Sequence, residues 1–150
     1  MIISEPRHYI NQWIGARNGG YLDTNSFTAL ACVQNQNLIG ALTFYEANKK
    51  NCWVNIALKD KIFPPSLLNS GLTYVFHQLA LKRLTFRIPS VNLPSQTLVR
   101  RLGAIHEATL RDADDFGDAL MFALFPESCP FWSRLNVKRV KRAAEQLEPA

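Results

Sequence analysis

The chain has 150 residues, 47% of them hydrophobic, which is enough for one domain with a core of its own. No apolar run approaches the roughly 20 residues that cross a bilayer, and MIISEPRHYINQW lacks a basic start followed by an apolar stretch, so a soluble cytoplasmic protein is expected. The formal charge of +5 is concentrated in Arg134 to Arg142, RLNVKRVKR, which holds five Lys/Arg and no acid; this argues against a nucleic-acid surface spread over the whole chain and for a local basic patch.

Taken in order, Pro6 to Ala16 carries Tyr9, Ile10, Trp13 and Ile14 at helical spacing, with Ser4 as N-cap and Asn18-Gly19-Gly20 as stop. Tyr21 to Ser26 reads as a polar linker. Phe27 to Val33 and Leu38 to Tyr45 are apolar strands joined by a turn at Gln34 to Asn37, and Cys52 to Leu58 is a third strand fit for a sheet interior. Lys59 to Pro65 is a loop ending in a double proline. Ser66 to Leu81 follows as a helix, with Leu67, Leu68, Leu72, Val75, Phe76 and Leu79 on its apolar face.

The stretch from Arg83 to Asp112 is the most informative. Arg83 to Pro89 alternates as a strand and stops at a proline. Pro94 to Leu102 is a short helix with proline at its start and Gly103 at its C-cap, and Ala104 to Leu110 is another strand. Asp114 to Asp118 then turns the chain into a last strand, Ala119 to Phe125, and Phe131 to Leu147 is a basic amphipathic helix whose apolar positions include Val140 and Leu147. This order predicts a mixed α/β (α+β) domain, residues 1–132, with helices on both faces of a sheet, and an added helix or tail, residues 133–150. Cys32, Cys52 and Cys129 are odd in number and widely spaced, and the three His show no ligand spacing, so neither disulfides nor a metal site is expected. Cys32 and Cys52 sit in apolar runs and read as core thiols. Trp13, Trp53 and Trp132 read as core or lid residues.

The segment LALKRLTFRIPSVNLPSQTLVRRLGAIHEATLRDA, Leu79 to Ala113, resembles the GNAT N-acetyltransferases, in particular the branch that modifies ribosomal proteins. The ending DADDFGDALMFALFPESCPFW is similar to short GNAT-like proteins of phages and prophages. The likeness spans roughly Phe27 to Trp132. It implies a mostly antiparallel sheet flanked by helices and acetyl-CoA as the acyl donor to an amine, on a protein N-terminus or a small molecule. It also implies a home in a host cytoplasm or a virion.

Residue by residue, the resemblance places Ser66, Leu67, Leu68 and Asn69 where helix-start N–H groups meet the CoA pyrophosphate. It departs from the family pattern there, because Pro64-Pro65 removes donors and the glycines are missing. Asn92 matches a residue that helps bind the cofactor or braces a splayed sheet; an Asn in such a loop also satisfies turn backbone. Ser95 matches a donor to the departing thiolate, or else serves its own helix end. Glu107 matches a family Glu and Asp112 and Asp114 a base position, while strand carboxylates and turn aspartates also arise without function. The family's strand carboxylate is replaced by Asn55, an amide that accepts no proton.

Arg100 and Arg101 suit CoA phosphates or a solvated helix face. Tyr74 and His77 line a cleft or, more simply, are a packed and a surface residue. Two functions follow: a GNAT acyltransferase using Ser95 as acid with Asp114 or Glu107 as base, or a catalytically degenerate GNAT-fold phage protein with a structural or host-interaction role. The basic tail suits a protein or nucleic-acid partner, or docking on its own domain, and a homo-oligomer is open.

Overall fold

A computed structural model describes residues 1–18 and 26–147, without the side chains of Val140 and Leu147. The expected stop at Gly19-Gly20 and the linker from Tyr21 to Asn25 lie outside the described residues. Seven strands form one sheet: β1 (Ile2–Ile3), β2 (Thr28–Gln34), β3 (Asn37–Tyr45), β4 (Asn51–Leu58), β5 (Arg83–Pro89), β6 (Ile105–Asp114) and β7 (Gly117–Leu124). Their order is β1-β2-β3-β4-β5-β7-β6, with every neighbouring pair antiparallel except β4–β5. The helices are α1 (Arg7–Arg17), α2 (Pro65–Leu72), α3 (Leu93–Arg101) and α4 (Pro130–Leu147).

Local chemistry accounts for most of these elements. Asn35 and Gln36 both take positive φ, 52° and 65°, so β2 and β3 meet in the two-residue turn whose twist suits a hairpin. On one face, Ala29, Ala31, Ala41 and Ala57 are small enough for α1 to lie close, and Ile10 and Ile14 fill the space between. The other face carries the larger core, where Phe44, Leu67 and Phe122 are at most 1% exposed. Each such side chain contributes about 1.5 to 3 kcal/mol, more than the roughly 1 kcal/mol of a helix cap. Leu67 therefore holds α2 down although Pro64 at its N-cap makes no side-chain cap. Gly71 completes the fit, since a Cβ there would stand 2.6 Å from Leu42 Cδ1.

Several boundaries differ from expectation. Ser4 is not the cap of α1: Pro6 occupies that position and the Glu5 carboxylate accepts from the Arg7 N–H at 2.9 Å. The helix expected to reach Leu81 changes to a π-helical turn over Thr73–Gln78, with Leu79 N–H donating to Tyr74 C=O, and ends before Ala80 at φ 51°. That wider turn sets the Tyr74 ring 5.3 Å from Phe44 and its hydroxyl 2.7 Å from Thr28 Oγ1. β6 runs on to Asp114 rather than ending at Leu110, because Asp114 pairs with Gly117 across a tighter hairpin than DADDFGD suggests.

All three cysteines are buried and unpaired. Burial pushes the Cys52 thiol up to about 12, and it raises Cys129 as well. A thiol held neutral in the fold but free to ionise near 9 when unfolded costs nothing below that pH. Above it, the unfolded state loses a proton that the native state keeps. Stability is expected to fall from pH about 9 towards 12, by up to about 1.4 kcal/mol per pH unit from Cys52. Urea titrations across that range check it, and an unchanged midpoint in wild type would sink it.

Candidate functional site

The parallel pair β4–β5 is where the sheet opens. The two strands pair only at Asn51↔Arg83, Cys52↔Leu84 and Trp53↔Thr85. Beyond that, Val54 to Leu58 pair with β3 alone and Phe86 to Pro89 with β7 alone. A wedge results, with an unpaired strand edge on each side. Backbone N–H and C=O groups along such an edge seek a partner.

The base of the wedge is clasped. Thr85 Oγ1 donates to Asn51 Oδ1 at 2.8 Å and accepts from Arg83 Nε at 3.0 Å. Lys50 C=O accepts from both Lys82 and Arg83 N–H. A small apolar cavity of about 30 Å³ lies on the α2 side, lined by Val54, Ile56, Phe63 and Phe86 among others.

The wedge widens towards the C-terminal ends of β4 and β5; β5 leads there into α3, while β4 leads through residues 59–64 to α2, whose N-terminus lies over β2 and β3, with Ser66 Oγ 3.7 Å from Cys32 Sγ and Leu67 against Gly40. Open parallel pairs place ligands at that end. At α2, Pro65 has no N–H and Leu68 N–H already donates to Pro64 C=O at 3.0 Å. Ser66 therefore supplies the exposed backbone donor, since Leu67 is fully buried, while Asn69 continues the helix as an exposed side chain.

At α3, Asn92 is the N-cap, its Oδ1 accepting from Ser95 N–H at 3.2 Å. Asn92 and Ser95 are thus brought together, and the Ser95 hydroxyl is not what caps the helix. Gln96, which the sequence reading passed over, braces the turn, with Nε2 donating to Ser90 C=O at 3.0 Å and Pro89 C=O at 3.3 Å.

The remaining candidates lie elsewhere. Arg100 sits at the other end of α3 with its guanidinium 5.0 Å from the Phe122 ring centroid. Glu107 and Asp114 are on β6, separated from β5 by β7, and each reaches a β5 arginine: Glu107 to Arg83 at 2.7 Å, Asp114 to Arg87 at 3.2 Å. Asp112 takes φ 52° and its N–H donates to the Asp118 carboxylate at 3.0 Å, a turn role. Asn55 stands opposite Thr43 on β4, and His77 is exposed. Among the described residues no group of three or more His, Cys, Asp or Glu gathers as metal ligands. No described helix is long and apolar enough to cross a membrane.

The Asn51–Thr85 clasp and the two arginine pairs went unread because each joins residues far apart in sequence; only the strand register brings them together.

No known protein family profile matches the chain, and no curated protein matches it. Solved structures do. Spermidine N-acetyltransferase SpeG from Vibrio cholerae, in a point-mutant form, superposes with a TM-score of 0.69 at 16% identity, over 83% of this chain and 94% of that one. The spermidine/spermine N-acetyltransferase SpeG from the same organism gives 0.67 at 17%, over 83% and 91%. A chimera of SpeG and hSSAT gives 0.67 at 18%, over 83% and 94%. At such identity the likeness is one of fold, and the fold is that of the GNAT acetyltransferases.

Proposed function

We propose that the chain is an acetyl-CoA-dependent N-acyltransferase acting on an amine. The observation that carries this reading is the wedge, whose free strand edges open at the end of the sheet where β4 and β5 lead on to α2 and α3. Acetyl-CoA would supply an amide-bearing arm for those edges, a diphosphate for the α2 N-terminus, and a thioester that an amine attacks with loss of the thiolate. The residues present fit that group in outline. Val54 to Leu58 and Phe86 to Ile88 offer backbone partners, and Ser66 offers an exposed N–H group to a phosphate. The missing Pro65 donor makes that hold weaker than a full helix turn of donors would be.

Ser95, in the first turn of α3, would donate its hydroxyl proton to the departing sulfur, and the proton shed by the attacking amine would pass to solvent, from which the serine would regain its own. Much of the rate comes from holding the amine against the thioester, for which no protein nucleophile is required. Glu107 and Asp114 remain the carboxylates nearest in sequence logic to a base, but each is held by an arginine on β5. The acceptor is an amine of a small molecule or a protein N-terminus.

A second reading has its own support. Asn55 where a carboxylate is expected, Pro65 without a donor and both candidate bases in ion pairs suit a GNAT-fold protein, phage-encoded on the sequence resemblance, that binds a partner rather than catalyses. Isothermal titration with acetyl-CoA separates the two. Micromolar binding, followed by thiol release in a screen of peptides and small amines including spermidine, supports the enzyme. Absence of binding at millimolar ligand overturns it and leaves the binding role.

A further inference from the structure

We propose that the outward face of α4 binds the phosphate backbone of a nucleic acid. Arg134, Lys138, Lys141 and Arg142 recur at i, i+4, i+7 and i+8, which sets them on one face of the helix over about 12 Å. All four are exposed. The adjoining face is committed to the domain: Trp132 is 8% exposed and packs 5.8 Å from Phe76, Leu135 adds to the same core, and Arg139 lies over Trp132 at 5.4 Å. Arg134 rests against its own helix, 5.2 Å from the Phe131 ring, and no cation of α4 is in an ion pair among the described residues. Together with Arg139 they give α4 five cations against the single carboxylate of Glu145, so this helix carries most of the chain's formal charge of +5.

The composition of the face selects the partner. A membrane-surface helix sets large apolar residues beside its cations, and an interface with an acidic protein needs an aromatic or aliphatic anchor. Val137 is the one large apolar side chain described as exposed on α4; Ser133, Asn136, Ala143, Ala144 and Gln146 are small or polar, and Glu145, at i+11 from Arg134, is the single carboxylate on the cationic face. Phosphate neutralisation needs cations alone, and its driving force is release of counterions. Four cations on one face predict a duplex affinity that falls about a hundred-fold between about 50 and 200 mM salt.

Fluorescence anisotropy of the full chain with labelled duplex and single-stranded DNA and RNA, across that salt range, tests the proposal. The variant carrying R134Q, K138Q, K141Q and R142Q is expected to lose most of this salt dependence and at least ten-fold in low-salt affinity, with an unchanged circular dichroism spectrum. Equal binding by wild type and the folded variant overturns the proposal. So does the absence of wild-type binding at low salt, or binding to phosphatidylserine vesicles without binding to any oligonucleotide. If the variant does not fold, the salt slope of the wild type decides, a slope near zero being the overturning result.

Discussion

Replacing Ser95 by alanine is expected to lower acetyl transfer by about a hundred-fold while leaving the melting temperature where it is. The two parts of that expectation come from different atoms of one residue. The cap of α3 runs from the Ser95 backbone N–H to the Asn92 side chain, and an alanine keeps that N–H. What the substitution removes is the hydroxyl, which on the proposed reading donates its proton only as the thiolate departs. Because the donor acts in the transition state, kcat and kcat/KM should fall together and acetyl-CoA affinity should hold.

Asn92→Ala is the contrasting variant. It deletes the capping acceptor, costs about 1 kcal/mol and lowers the melting temperature by about 2 to 4 °C. Paired melting curves and steady-state rates check both. A Ser95→Ala protein that melts earlier but transfers at the wild-type rate would remove Ser95 from the chemistry.

Gly103→Ala is expected to be the most damaging single-methyl change outside the wedge. Gly103 has φ 103°, a conformation that costs an L-residue about 1 to 2 kcal/mol. A Cβ at that position would also run into the Ser128 carbonyl oxygen, which is backbone and does not swing aside. Overpacking of this kind adds about 1 to 3 kcal/mol, so a loss of about 2 to 5 kcal/mol is predicted, or a melting temperature lower by about 4 to 20 °C. Differential scanning fluorimetry measures it; a shift within 1 or 2 °C of wild type would show that the Ser128 turn relaxes at small cost. The position matters beyond stability, because the turn after α3 and the start of α4 meet there, with Pro130 Cδ 3.4 Å from the same point.

Much of this was written in local chemistry. The apolar runs Phe27 to Val33 and Leu38 to Tyr45 around a short polar turn specify a hairpin, the Asn-x-Pro-Ser start and Gly103 bound α3, and buried thiols follow from apolar runs around Cys32 and Cys52. These are properties of neighbours in sequence, whose backbone preferences act over a few residues. The GNAT architecture was legible for the same reason, since its elements and their order are local patterns.

The wedge was not, because strand separation depends on which β4 and β5 residues stop pairing, and no residue in NCWVNIAL or RLTFRIP announces it. Nor was the fate of the charged candidates. Glu107 and Asp114 look alike as strand or turn acids, and only the register β5-β7-β6 brings Arg83 and Arg87 against them. Ser95 and Asn92 divide in the same way. Their spacing announces a capped helix, and only the three-dimensional arrangement leaves the cap to the Asn92 side chain, frees the Ser95 hydroxyl from it, and sets both at the open end of the sheet.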